Sequence, residues 1–268
     1  MKKIVSILLV LAMMLSVSTV LAEGTFRVGM ECGYAPYNWT QPAASEFSVP
    51  IDGGAGFADG YDVQIAKKIA EGLGKELVIV KTEWDGLIPA VTSGALDAII
   101  AGMSPTTERK ATLDFTEPYY LVDIVIVVKK DGAYANATSL ADFSGAALTA
   151  QLNTTHYEVL DQIPGVNKLA AMESFPAMTV ALKSGAIDGY VAERPGALAD
   201  TMANPELTFV SFEQGKGFDI ALEDTQISVG LAKGSDLVAP INEILAGLDQ
   251  AARDQIMQDA IGRQPLAQ

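Results

Sequence analysis

Cysteine and histidine are nearly missing from this sequence: among 268 residues there is one of each, Cys32 and His156. A lone cysteine closes no internal disulfide and reads as a small buried filler. One histidine and one cysteine cannot build a His/Cys metal constellation, so neither a metal nor a cofactor is expected. Basic residues are scarce too, with 18 Lys and Arg against 33 Asp and Glu and a formal net charge of −15. Binding a phosphate backbone needs a basic face, so nucleic acid is excluded as a partner. The same count says nothing about the charge of a small ligand in a pocket. Past the first residues, no apolar run is long enough to span a bilayer.

What is present begins with "MKKIVSILLVLAMMLSVSTVLAEG". Lys2 and Lys3 precede an apolar run from Ile4 to about Leu15, and small residues surround Val20-Leu21-Ala22. This pattern predicts a secretory signal peptide over residues 1–22, cut before Glu23. Ser16, Ser18 and Thr19 interrupt the run, which argues against a membrane anchor, and no cysteine at the cut invites a lipid. Losing Lys2 and Lys3 takes the net charge from −15 to about −17. The expected location is the periplasm or another extracytoplasmic space. The remaining length suits one large domain or two medium ones.

The sequence nearly repeats itself. "SGALDAIIAGMS" begins at Ser93 and "SGAIDGYVAERP" at Ser184. Ahead of each copy, Leu87, Ile88, Val91 and Leu96, or Met178, Val180, Ala181 and Leu182, recur at helical spacing, and Gly94 or Gly185 supplies the stop. The short apolar runs "LDAIIA" and "IDGYVA" follow and read as buried strands. Each copy is thus a helix–turn–strand unit, arising either from chance likeness of two such turns or from a related pair of lobes. Around them, "FRVGM", "ELVIV", "YYLVDIVIVVKK", "ALTAQL" and "QISVGLAKG" read as strands. "GYDVQIAKKIAEGLG", "NTTHYEVLDQI" and a last "LVAPINEILAGLDQ" read as helices. The alternation predicts an α/β fold with parallel sheets and a ligand site beyond the carboxyl ends of the strands. There the two copies diverge, into "GMSPTTERK" and "ERPG".

The candidate binding residues lie at those ends. Ser104-Pro105-Thr106-Thr107-Glu108 signals a helix start, where free N–H groups welcome an anion. Arg109, one turn in, either forks onto a carboxylate or sits on the surface paired with Glu108 or Asp114. Asn153, Thr154 and Thr155 repeat the device, either as plain caps or as a second carboxylate seat. Glu193 closes the second repeat, either as an exposed acid or as a partner for an ammonium in a cleft. Tyr34 in "ECGYAPYNW" and Trp84 in "EWDGL" also follow strands. Two such rings can hold an apolar or cationic side chain between their faces, though aromatic residues more often belong to a core.

In order along the chain, "RVGMECGYAPYNW", "GYDVQIAKKIAEGLG", "WDGLIPAVTSGALDAIIAGMSPTTERK", "DFTEPYY", "QLNTTHYE" and "SGAIDGYVAE" resemble the polar amino-acid family of periplasmic solute-binding proteins of ABC transporters. The resemblance runs from about Phe26 to the last helix. It implies a two-lobed periplasmic-binding-protein fold, each lobe a mostly parallel sheet flanked by helices. The lobes would comprise residues 23–122 with 224–268, and 123–223. Two hinge strands would lie near Tyr120–Asp123 and Glu223–Gln226. It further implies that Arg109 and Thr155, helped by Ser104 and Thr154, hold an α-carboxylate. Glu193, the Gly102 carbonyl and Ser104 would meet the α-amino group, with Met103 in the same turn. Tyr34 and Trp84 would sandwich the ligand side chain, Glu31 would stand near its far end, and His156 would face it.

Three departures from the family pattern stand out. Glu193 replaces a common aspartate, and Pro105 replaces a common serine or threonine. The loop "TQPAASEFSVPIDGGAGFAD", residues 40–59, is longer than usual and reads as a mobile flap or a surface ornament.

The expected function is the clamping of a free L-amino acid for a membrane permease by a monomeric protein, without covalent chemistry. Glu31 and two rings favour arginine or lysine, with glutamine next. Rival readings are an exported cyclohexadienyl dehydratase, with Glu193 or Glu173 as its acid, and the sensing domain of a receptor.

Overall fold

The protein is described by a computed structural model covering residues 24–265, and the expected signal peptide lies outside the described residues. No helix among the described residues is long and apolar enough to cross a membrane.

The first repeat folds as read. The helix Trp84–Thr92 stops before Gly94, which takes the left-handed φ of 78°, and the chain enters the strand Ala98–Ile99. In the second, the helix Phe175–Ser184 ends at Gly185 with φ 80°, before the strand Gly189–Glu193. Glycine reaches this conformation at no steric cost, so it ends a helix cleanly.

These units build two five-stranded sheets of one pattern. In the first lobe the order is Glu76–Lys81, Thr25–Met30, Ala98–Ile99, Gly230–Ala232, Leu113–Phe115. In the second it is Asn167–Lys168, Ala147–Thr149, Gly189–Glu193, Ile124–Lys129, Leu207–Val210. In each, the first three strands are parallel and the last two pairings are antiparallel. Four of the five strands in each sheet therefore run the same way, as expected, and only Gly230–Ala232 in the first lobe and Ile124–Lys129 in the second run against them. The cause is the way the chain passes between lobes. Tyr120–Leu121 pairs antiparallel with Gln226–Ile227, and each of these short strands leads directly into the antiparallel strand of the lobe it enters. "YYLVDIVIVVKK" and "QISVGLAKG" are accordingly each broken into a connecting strand and a sheet strand.

Alternation along the strands divides the core. In the second lobe Val125 and Val127 pack on one face with Tyr190, Met178 and Leu182, while Ile126 and Val128 pack on the other with Leu148, Val191 and Phe143. The first lobe has one larger cluster around Phe26, Val28, Ile65, Ile79, Leu87 and Ile99.

Two expectations need correction. Residues 40–59 are not a mobile flap. Gly33–Tyr34, Asn38–Gln41, Phe57–Asp59 and Val49–Pro50 form an antiparallel four-stranded sheet. It is fastened from outside, because the Gln64 amide donates to the Phe47 carbonyl at 2.8 Å and Arg263 stacks 3.9 Å over the Phe47 ring. Nor is Val238–Ala246 the last helix. Gln250–Arg263 follows it, capped by Asp249, whose carboxylate accepts from the Ala252 N–H. That helix buries only Met257 and Ala260, so its apolar periodicity is faint.

Candidate functional site

The carboxyl ends of both sheets face a common space. Glu31 follows the strand Thr25–Met30, Ala101 and Gly102 follow Ala98–Ile99, Gln151 follows Ala147–Thr149, and Glu193 ends its own strand. Together with Tyr34, Trp84, Ser104, Arg109, Thr154, Thr155, His156 and Phe175, they line one small cavity. A larger groove on the other side of Tyr34 and Phe175 includes none of Arg109, Glu31 and Glu193.

The charges in this cavity are held out of water. Glu193 is 3% exposed, and desolvation pushes its carboxyl up to about 8. Its Oε1 lies 3.1 Å from His156 Nε2, while its Oε2 and the His156 Nδ1 have no hydrogen-bond partner. Burial, with Arg109 nearby, drives His156 down to about 3, so the ring is neutral at physiological pH and donates through Nε2. Burial lifts Glu31 to about 7, although Gln151 Nε2 donates to its Oε1 at 2.8 Å. Arg109 is lowered by desolvation to about 10 and stays cationic. Its Nη1 donates to the Ser104 carbonyl at 3.0 Å and its Nη2 to the Asn153 carbonyl at 3.2 Å.

Asn153 joins the two lobes. Besides Arg109, its carbonyl accepts from Trp84 Nε1 at 3.2 Å, and its side-chain amide donates to Asp85 Oδ1 at 2.9 Å. It adopts the left-handed φ of 55°, which asparagine tolerates better than most residues.

Ten of the eleven residues singled out from the sequence line the cavity. Met103 is the exception, with its side chain 1% exposed in the first-lobe core and its carbonyl accepting from the Ser228 N–H. Several details differ from expectation. Tyr34 and Trp84, expected to hold a ligand side chain between them, each have a ring face engaged by a protein group. Tyr34 stacks on Phe175 at 4.1 Å with an 11° interplanar angle, and Trp84 carries the Arg109 guanidinium 5.0 Å over its ring. The Thr154 hydroxyl donates to the Gln151 carbonyl at 2.6 Å instead of capping its helix, and the Ser104 hydroxyl donates to the Asp224 carbonyl at 3.0 Å. The helix start at Thr107–Lys110 is capped by Thr106, which accepts from the Arg109 N–H. Asp114, one surface partner considered for Arg109, is bound by Lys233 instead.

Sequence reasoning missed Gln151, Phe175 and Ala101. The repeat itself held a signal for Phe175. It stands as far before Ser184 as Trp84 stands before Ser93, so each lobe starts the corresponding helix with an aromatic ring at the cavity.

Relatives agree with this architecture. Residues 26–262 match the model of the bacterial extracellular solute-binding proteins, family 3. A probable histidine-binding protein of Campylobacter jejuni is 30% identical over 234 residues, 86% of this chain and 80% of that protein. An L-arginine-binding protein of Pseudomonas aeruginosa is 27% identical, with 91% and 90% covered. Among solved structures, an amino acid ABC transporter substrate-binding protein from Streptococcus pneumoniae bound to L-arginine superposes with a TM-score of 0.78 at 25% identity, covering 89% of this chain and 94% of that one. With the family match spanning almost all the described residues, the chain belongs to the bacterial extracellular solute-binding proteins, family 3.

Proposed function

We propose that this chain is the extracytoplasmic receptor of an amino-acid ABC importer. In this reading residues 23–122 and 224–268 form one lobe and 123–223 the other. A free L-amino acid with a cationic side chain, arginine or lysine, is clamped between them, and glutamine is the next choice. The observation that carries the reading is the opposition of charge across one buried cavity: Arg109 comes from the first lobe and Glu193 from the second.

Arg109 and Thr155 receive the α-carboxylate, a fork of guanidinium N–H groups being suited to two carboxylate oxygens. Glu193, with Gly102 and Ser104, receives the α-ammonium. Its Oε2, buried without a partner, supports this role. A buried carboxyl kept neutral by desolvation ionises when a cation arrives, so the ammonium recovers the cost of burial. Glu31 stands ready for the cationic end of the side chain, with Tyr34, stacked on Phe175, and Trp84, under the Arg109 guanidinium, lining the cavity beside it. The same set accepts an amide, which donates to a carboxylate, hence glutamine. Arginine-binding relatives favour the cationic class.

Because the opposed charges belong to different lobes, the ligand favours the closed arrangement, and only such a difference in affinity shifts an open–closed equilibrium. The closed form is then what a permease recognises. No covalent step is required, and relatives named as binding proteins favour binding over turnover on the dehydratase pattern.

A melting-temperature screen of the twenty amino acids tests the reading. A ligand at one hundred times its Kd adds about 2.7 kcal/mol. Arginine or lysine is expected to give the largest rise, and Arg109→Ala to abolish it. No rise with any amino acid overturns the proposal, and turnover of prephenate or arogenate in an absorbance assay would replace it with the dehydratase.

A further inference from the structure

Beneath the cavity the first lobe contains a carboxylate with no exposure at all. Asp62, at the start of the helix Tyr61–Gly72, accepts from Asn38 Nδ2 at 2.8 Å and from the Tyr119 hydroxyl at 2.8 Å. The backbone N–H of Gly102 lies near enough to the same carboxylate to favour its ionised form. Asn38 in turn accepts from the Cys32 N–H through Oδ1 at 2.8 Å. Asn38 and Tyr119 are likewise fully buried.

Three segments of the first lobe meet at this group. Cys32 directly follows Glu31, and Gly102 lines the cavity. Tyr119 precedes the connecting strand Tyr120–Leu121, and its N–H donates to Ile227 of the opposing strand at 2.8 Å. Two of these segments take left-handed backbone, Cys32 at φ 53° and Gly102 at φ 64°. For cysteine this conformation is sterically disfavoured and persists only where the surroundings hold it. At Gly102 a Cβ would lie 3.3 Å from the Tyr34 ring. A trans peptide points its N–H and C=O in opposite directions, so with the Gly102 N–H on the Asp62 side the Ala101 carbonyl lies on the other.

We infer that Asp62 is a positioning residue for the amino-acid site: by holding Asn38, which accepts from the Glu31–Cys32 turn, together with the hinge-side Tyr119 and beside the Gly102 turn, it fixes the first-lobe wall of the cavity relative to the hinge. This rests on the reading of that cavity given above. The role needs a carboxylate, because the Asn38 amide and the Tyr119 hydroxyl both donate to it and the Gly102 N–H lies close by. An asparagine of the same shape offers one acceptor oxygen and turns an NH2 toward donors, leaving buried groups unpaired.

The test uses Asp62→Asn and Tyr119→Phe in the full mature chain, each checked by circular dichroism to be fully folded at the temperature used. Calorimetric titration is made with the amino acid that most raises the wild-type melting temperature. Hydrogen exchange is followed in the ligand-free protein at the Cys32 and Gly102 amides, with Ile65 as a core reference.

Asp62→Asn is expected to weaken binding about tenfold or more and to speed exchange at Cys32 and Gly102 by a similar factor while Ile65 is unchanged. Tyr119→Phe should weaken binding about threefold. A folded Asp62→Asn protein with wild-type affinity and wild-type exchange at both turns overturns the inference. If Asp62→Asn does not fold, unchanged affinity and exchange in Tyr119→Phe overturn it instead. If no amino acid binds the wild type, the proposed function fails, and the exchange measurement alone decides the positioning role.

Discussion

The two copies of the Ser-Gly-Ala repeat match down to individual hydrogen bonds and part only at their ends. In the first, the Arg27 N–H donates to Asp97 Oδ2 and the Asp97 N–H returns a bond to the Arg27 carbonyl. In the second, Ala147 and Asp188 exchange the same two bonds. The repeated aspartate is thus a clip that ties the strand being entered to its parallel neighbour. Beyond the strand, the first copy turns at Gly102 and brings backbone to the cavity, whereas the second runs on to Glu193 and brings a carboxylate. One scaffold made twice, with unlike tips, gives a cleft with chemically different walls.

Breaking the unlike tip has the largest expected effect. Glu193→Gln should weaken binding of a cationic amino acid about a hundredfold by calorimetry, the scale of losing one partner of a buried charge pair. The ligand-free protein should melt no lower, because a desolvated carboxyl has been replaced by a neutral amide. Affinity retained to within about threefold would remove Glu193 from the site.

The pH dependence comes next. Glu193 and Glu31 are raised above their ordinary value to about 8 and about 7, while His156 is lowered to about 3. Between pH 7 and 8 histidine is mostly neutral in both the folded and unfolded states, so the carboxyls decide. Asp62, raised to about 6, adds little in that window. The folded ligand-free chain holds more protons than the unfolded one, so its stability should fall as pH rises. Binding should run the other way. An ammonium requires the ionised carboxylate, a proton leaves on binding, and affinity should rise by up to about tenfold per pH unit per proton released. Melting curves with and without ligand across this window check both slopes.

Breaking the shared clip should cost both lobes alike. Asp97→Ala and Asp188→Ala each remove an acceptor from a backbone N–H and should each lower stability by about 1 kcal/mol in urea unfolding, with little change in affinity. A cost confined to one copy would show that the repeat is alike in sequence more than in energetics. The smallest effect is expected at the latch between lobes. Asn153→Gly keeps the left-handed backbone and the carbonyl but loses the bond to Asp85. As an exposed closing contact it should weaken binding about twofold to fivefold, and Asp85→Ala should add nothing to it.

Much of this was legible because local physics repeats. Helix periods, glycine stops and short apolar strands placed the two units, and residues at strand ends fell together at the cavity. The pairing of strands was less legible. Direction in each sheet follows from how Tyr120–Leu121 and Gln226–Ile227 connect the lobes, a non-local fact. The sheet across residues 33–59 is hidden in the sequence because its strands are two to four residues long and the loop joining them is fastened at Phe47 and Ile51 by Gln64, Ile79 and Arg263 from elsewhere in the chain. Gln151 and Phe175 were passed over as ordinary strand-end and helix-start residues. They become informative only when Glu31 and Tyr34 are seen against them.

Opposed charges on separate lobes are the core of the account, and changing the ligand tests them most directly. The amino acid giving the largest melting shift should be titrated calorimetrically beside its α-carboxamide and its Nα-acetyl derivative, which lack the carboxylate and ammonium charges respectively. The account predicts that each derivative binds at least about a hundredfold more weakly than the parent. Either derivative binding as tightly as the parent would contradict a clamp built on Arg109 and Glu193.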